Sequence, residues 1–475
     1  MKKSAILSYP YFLLVFILCG SVFLSFTPYI PTADMTSIFD NKRFFIILYI
    51  LITAGALMVS SSLRSDIIQT GFQLPKRIQW ILLTAIFFAF IADMSALYWY
   101  KSQAVFSYWL MLIIMTFILR TVVLEHQAFI SRFYVWLTIM LFLSVFLFHF
   151  IANIYNVTPN LRYLFSFVNP RYINHVQIWL ILPLFHVAWL RRNNQKSWFY
   201  CLPVILNFCL LFALDARGAF IASLSGIVLF AILTPTHRVE ILKKLALFLA
   251  IGLAIKWLLF TPLPQYFLHG VWAEGQGEIR LSDSNRLHLW ENAIQMISFW
   301  GYGGDTFVCN NDEVAHTTHN SILAIAIEWG VITALCYLTL LLMAFYRVCT
   351  TSSHNERVLG ITMLSGFAYS FISSVLNTPI SQGLAMISVA LFWATIQQPK
   401  EESLGSINMK LTTSLSKVLH GLLMVVAISA ITFIGHKTYM RIDHNQYRDQ
   451  PLDYYMPQFW LEHNCKDAQP KLVIK

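Results

Sequence analysis

The sequence predicts an all-α polytopic membrane protein, and three observations predict it. Of 475 residues, 57% are hydrophobic and only 12% charged, against about 25% charged in a soluble domain. Mean hydropathy is +0.61. The apolar residues gather in runs long enough to cross roughly 30 Å of hydrocarbon, with lysines and arginines in the short connections. In a soluble chain the formal charge of +10 would suggest nucleic acid. Here the positive residues follow the pattern that orients membrane spans, and no nucleic-acid partner is expected.

Six apolar runs lie near 9–27, 44–61, 79–97, 104–119, 133–153 and 174–190. Seven more follow near 198–214, 217–234, 242–260, 320–346, 357–376, 379–397 and 417–436. The break at Asn377-Thr378-Pro379 reads as a turn or a kink, so the expectation is 12–13 transmembrane helices. Met1-Lys2-Lys3 precedes an apolar run with no small-x-small cleavage site, which reads as an uncleaved first span. With the N-terminus cytoplasmic, eighteen lysines and arginines fall on the inner side, among them Arg64, Lys76, Arg77, Arg191, Arg192 and Arg238. Eight fall outside before the tail, including Lys42, Arg43, Arg171, Arg217 and Arg286. That asymmetry sets the orientation.

Four regions follow. Residues 1–260 hold helices one to nine, and 261–319 form one large periplasmic loop. Residues 320–436 hold helices ten to thirteen, and 437–475 form a tail on the periplasmic side. The seven cysteines contain no CxxC pair, so zinc and redox motifs are not expected. Cys309 and Cys465 are the two that this topology puts wholly outside, where an oxidising compartment would let them pair.

The stretch from Arg286 to Gly330 is the most structured polar region. Ser282, Asp283 and Ser284 offer caps for a helix that carries Arg286 in its first turn. Leu289, Trp290, Ala293, Ile294 and Ile297 recur at helical spacing, and Gly301, Gly303 and Gly304 end the helix. A second helix is expected to begin near His319 and Asn320. The GYGG run lacks the Lys and Ser/Thr of a phosphate-binding P-loop and reads first as a turn.

Three polar groups share the outer face: Arg217 opens the eighth span, Arg286 the loop helix and His319 the tenth span. Helix N-termini favour anions, and two guanidiniums suit a diphosphate. A histidine there loses proton affinity and can serve as a base. The alternatives are arginines that snorkel to head groups and a histidine that only caps a helix. His316 and His288 compete with His319 for the role of base. Glu328 lies inside the tenth span, where an acid is functional by default. Nine residues of helix put it opposite His319. Asp93 and Lys256, near outer span ends, are expected to snorkel.

The pattern RxxxWxxA from Arg286 through Trp290 to Ala293, then GYGG, then His319-Asn320 and Gly330, resembles the O-antigen ligase superfamily. That superfamily includes lipopolysaccharide O-antigen ligases and bacterial protein O-oligosaccharyltransferases that glycosylate pilin. Arg217 matches the arginine at the outer start of a span. Two departures are Phe299-Trp300, where a proline usually precedes the glycines, and Thr333, where a second glycine usually follows Gly330. The resemblance implies a GT-C-type glycosyltransferase of the inner membrane, metal-independent and without a cofactor, with its site facing the periplasm. It would move a glycan from undecaprenyl diphosphate to an acceptor hydroxyl, on lipid A-core or on a protein such as pilin. His319, Arg286 and Arg217 would be catalytic. Arg171, Asn174, His175 and Gln177, in the polar opening of the sixth span, would contact substrate, with Trp290, Gly303, His316 and Asn320. An O-antigen polymerase is the enzymatic rival. A polysaccharide or lipid transporter is the rival from another class, although the matched broken helices common in transporters are absent.

Overall fold

The computed structural model describes residues 8–26, 35–97, 99–156, 167, 169–192, 197–272, 286–310, 317–396 and 413–443. Every regular element among them is helical. Hydrocarbon offers no partner for backbone N–H and C=O groups, and a helix satisfies them internally. The first half holds α1 (Tyr9–Ser25), α2 (Met35–Val59), α3 (Ser61–Phe72), α4 (Lys76–Met94), α5 (Trp99–Arg120) and α6 (Gln127–Ile154). It continues with α7 (Pro170–Leu190), α8 (Ser197–Ala213), α9 (Arg217–Ile232), α10 (Arg238–Leu259) and the short α11 (Leu263–His269). Then come α12 (Arg286–Gln295), α13 (Thr306–Asn310), α14 (Ser321–Glu328), α15 (Gly330–Thr350) and α16 (His354–Ser370). The chain closes with α17 (Pro379–Ile396), then α18 (Thr413–Ser429), which passes through a π-turn into α19 (Gly435–Asp443). Among the described residues nine helices are long and apolar enough to cross a membrane, and α1, α8 and α9 are shorter apolar helices. The chain is an all-α polytopic membrane protein.

The packed centre that positions the site is α7 against the hairpin of α16 and α17. Trp179 of α7 is 0% exposed and donates its indole N–H to Ser381 Oγ of α17 at 2.8 Å. Gly366 of α16 lies flat against that ring, where a Cβ would collide with it. The Asn377–Pro379 break is a turn. Gly360 of α16 faces Phe392 of α17, so the two helices run back along each other.

One end of the bundle gathers helix starts. His175 in the first turns of α7 bonds to the α16–α17 turn, and Ser321 at the start of α14 lies 2.8 Å from Ser370 at the end of α16. Gly218 at the start of α9 packs on Tyr369. At the other end, Arg192 pairs with Glu240 at 2.7 Å and Arg347 pairs with Glu356. Ser353 caps α16 there by accepting the N–H of Glu356.

Several expectations change. The apolar run 320–346 is two helices. α14 stops at Glu328, and Gly330 turns with φ 84° because the backbone of Phe299 and Trp300 lies against it. Tyr302 N–H donates to Ile327 O at 3.0 Å and Gly303 N–H to Glu328 O at 2.7 Å. Glu328 therefore ends α14, at the break, instead of sitting inside a continuous span. Thr333 donates its hydroxyl to the Trp329 carbonyl at 2.7 Å, which gives the departure from glycine a local use. Asp93 does not snorkel. It is 0% exposed, and its Oδ1 accepts the Ser102 hydroxyl and the Gly304 N–H. On α12, Leu289 and Ala293 are buried with Met296, Phe307 and Ile327 in a small separate core, whereas Ile294 is 57% exposed. Cys465 lies outside the described residues, as does the side chain of Cys309.

Candidate active site

His319 sits between two anchors. Upstream, Trp290 of α12 donates its indole N–H to the Thr318 carbonyl at 3.0 Å. Downstream, Asn320 caps α14, its Oδ1 accepting the N–H groups of Ile322 at 2.9 Å and Leu323 at 3.2 Å. Between them His319 takes a left-handed backbone, φ 51°, a region in which His is enriched over most non-glycine residues. The RxxxW spacing thus ties the helix that starts at Arg286 to the histidine loop. Trp290 uses its N–H inside the protein.

The ring of His319 is held on one edge. Its Nδ1 lies 2.7 Å from Ser374 Oγ and 3.4 Å from Thr317 Oγ1. Nε2 has no hydrogen-bond partner among the described residues. Burial, then the charges of Arg171 and Arg286, push its pKa down to about 4. A neutral imidazole with one nitrogen unoccupied, between two cations, is able to accept a proton at neutral pH.

Arg171 opens α7, where Asn169 caps the helix by accepting the Arg171 N–H at 2.9 Å. Four residues on, His175 is 1% exposed and has both nitrogens occupied, Nδ1 at 3.1 Å from Thr378 Oγ1 and Nε2 at 2.7 Å from Ser373 Oγ. Asn174 is also buried. Gln177 points into the bundle, donating to the backbone and side-chain oxygens of Asn207 at 3.0 and 3.2 Å. Of this polar opening, Arg171 is the residue whose charge reaches His319.

Arg217 stands at the start of α9 with its side chain 42% exposed, 3.8 Å from Asp215. Asp215 itself turns with φ 49°. Arg217 shares the bundle end with His319, and the adjoining Gly218 rests on the Tyr369 ring. Gly303 is buried with its N–H given to Glu328 O, and Gly304 N–H is taken by Asp93 and Ser102. The glycine run is a packed turn that holds α12 against the α14–α15 break. Trp300, in place of the usual proline, stacks on Phe88 of α4 at 5.6 Å. His288 is exposed, and His316 lies outside the described residues. Among the described residues no group of three His, Cys, Asp or Glu is placed to hold a metal ion.

Sequence reasoning missed Thr317, Tyr369, Ser373, Ser374 and Thr378, which surround the two histidines. Hydroxyls are common in membrane helices and carry no spacing signal, so only the Thr378-Pro379 break hinted at a special turn.

No curated protein and no solved structure matches the chain. Residues 202–338 match the family model described as O-antigen ligase. The matched segment runs from α8 into α15 and contains Arg217, Arg286, Trp290, His319 and Asn320; over these residues the chain is similar to the O-antigen ligase family.

Proposed function

We propose that the protein transfers a glycan en bloc from undecaprenyl diphosphate to an acceptor hydroxyl on the periplasmic face of the inner membrane. The acceptor is a lipid A-core sugar or a Ser/Thr of a protein such as pilin. The observation that carries this reading is His319: a neutral imidazole whose Nε2 has no partner among the described residues, under the charges of Arg171 and Arg286. In the transfer step the acceptor oxygen bonds to the anomeric carbon and its proton goes to His319 Nε2. The bond from that carbon to the diphosphate oxygen breaks, and undecaprenyl diphosphate leaves with the electron pair. Arg286 and Arg171 stabilise the charge that gathers on the departing oxygen. Arg217, more exposed on the same end, meets the outer phosphate.

Purified protein is incubated with lipid-linked glycan and, separately, with lipid A-core or pilin. Glycan on either acceptor supports the proposal and names the acceptor. Longer lipid-linked glycans with no transfer to either would make the protein a polymerase. Movement of the lipid-linked glycan across a vesicle membrane with no new glycosidic bond would make it a transporter.

A further inference from the structure

Two consecutive serines in the turn between α16 and α17 each meet a histidine, and counting their protons separates the two histidines. Thr378 gives its one hydroxyl hydrogen to the Val375 carbonyl at 3.0 Å, so toward His175 Nδ1 it only accepts. His175 therefore carries Nδ1–H, and its Nε2 accepts from Ser373 at 2.7 Å. Ser373 has then spent its hydrogen on that nitrogen. Every site on His175 is filled, which makes it a fixed post between α7 and the turn.

Among the described residues His319 is wired on one side only. Ser374 Oγ lies 2.7 Å from Nδ1 and 2.6 Å from Thr317 Oγ1. The charged neighbours acting on His319, Arg171 and Arg286, carry donors and no acceptor. They offer nothing to an Nε2–H. A hydroxyl does offer an acceptor to Nδ1–H, and Ser374 can pass its own hydrogen on to Thr317. We infer that Ser374 is a positioning residue that holds His319 as the Nδ1–H tautomer, so that Nε2 keeps its lone pair toward the acceptor hydroxyl. Ser374 touches no substrate. It acts through the imidazole, as the third group that orients a catalytic base does in other enzymes. The turn that carries it is itself tied down: Arg43 of α2 donates to the Asn377 carbonyl at 2.5 Å, and Gln382 of α17 donates to the Leu376 carbonyl at 2.7 Å.

This inference rests on the reading of His319 as the base, and its test separates the two. The full-length protein is assayed with lipid-linked glycan and the acceptor that the wild type glycosylates. Ser374→Ala is expected to lower kcat roughly 10–100-fold, the scale for partners that orient an imidazole, with KM for the donor unchanged. Ser374→Thr keeps a hydroxyl and is expected to restore most of kcat. In a His319→Ala background, Ser374→Ala is expected to cost nothing further. Wild-type kcat in Ser374→Ala, or a loss in Ser374→Ala that Ser374→Thr shares in full, overturns the inference. So does an added loss in the double variant, because Ser374 would then act apart from His319. Activity in His319→Ala itself overturns the base assignment beneath it.

Discussion

A base flanked by two guanidiniums has a pH signature that distinguishes it from an isolated histidine. Burial acts most strongly on His319, and the charges of Arg171 and Arg286 add to it. Both disfavour the imidazolium, so the base stays unprotonated through neutral pH. We expect kcat/KM to hold level on the acidic side until pH approaches 4. Arg171→Gln removes one cation, which makes protonation easier, and the acidic limb should move to higher pH. A limb that stays in place, or moves lower, would show that Arg171 does not act on the base. Arg286 is expected to act on the leaving diphosphate: Arg286→Ala should cost about 10²–10³-fold in kcat, the scale for losing one preorganised charge donor. Arg286→Lys should retain part of the rate, since the charge persists but the fork is lost. Arg217→Ala, at a site 42% exposed and shared with Asp215, should cost less than Arg286→Ala. Equal losses would put both arginines on the same phosphate.

At the scale of elements, the packing of α12 against α14 determines where His319 sits. Trp290→Phe keeps most of the apolar bulk and removes the bond to the Thr318 carbonyl. Losing a bond of about 1 kcal/mol should lower kcat roughly fivefold, with membrane levels of the protein unchanged. A rise in donor KM alone would make Trp290 a substrate contact instead. Much of this region was legible from residue types. Arg286, Trp290, His319 and Asn320 are polar or bulky groups in an otherwise apolar chain, and Asn320 is a strong capping residue. The break at Trp329–Gly330 was not legible. A lone glycine in an apolar run reads as a tolerated helical residue, and its positive φ is imposed by the Phe299–Gly301 backbone, which is distant in sequence. Asp93 was misread for a similar reason. Its position near a span end suggested solvent, but its partners, Ser102 and Gly304, come from α5 and the glycine turn. Ser374 was silent because one hydroxyl among apolar residues has no pattern; its partner is 55 residues away.

The whole molecule is asymmetric from end to end. Starts of α7, α9 and α14, the α16–α17 turn and the glycine turn share one end, and the ion pairs Arg192–Glu240 and Arg347–Glu356 lie at the other. The last helix returns to the first of these ends, where Lys437 Nζ comes within 3.7 Å of Asp305 beside the glycines and His436 meets Tyr100. From the side-chain charge in the connections, we propose that this bundle is oriented with the His319 end outward. Two positions test that orientation without touching the site. Leu268, on α11, is 54% exposed at the His319 end, joined to it through His269 and Asn153 at the close of α6. Ser352, between α15 and α16, is exposed at the opposite end. In a background from which the native cysteines are removed, Leu268→Cys should react with a membrane-impermeant thiol reagent once the outer membrane is opened. Ser352→Cys should react only after the inner membrane is broken. The reverse pattern would put His319 on the cytoplasmic side. Transfer to a periplasmic acceptor would then be impossible, whatever the variants at His319 and Ser374 do in detergent.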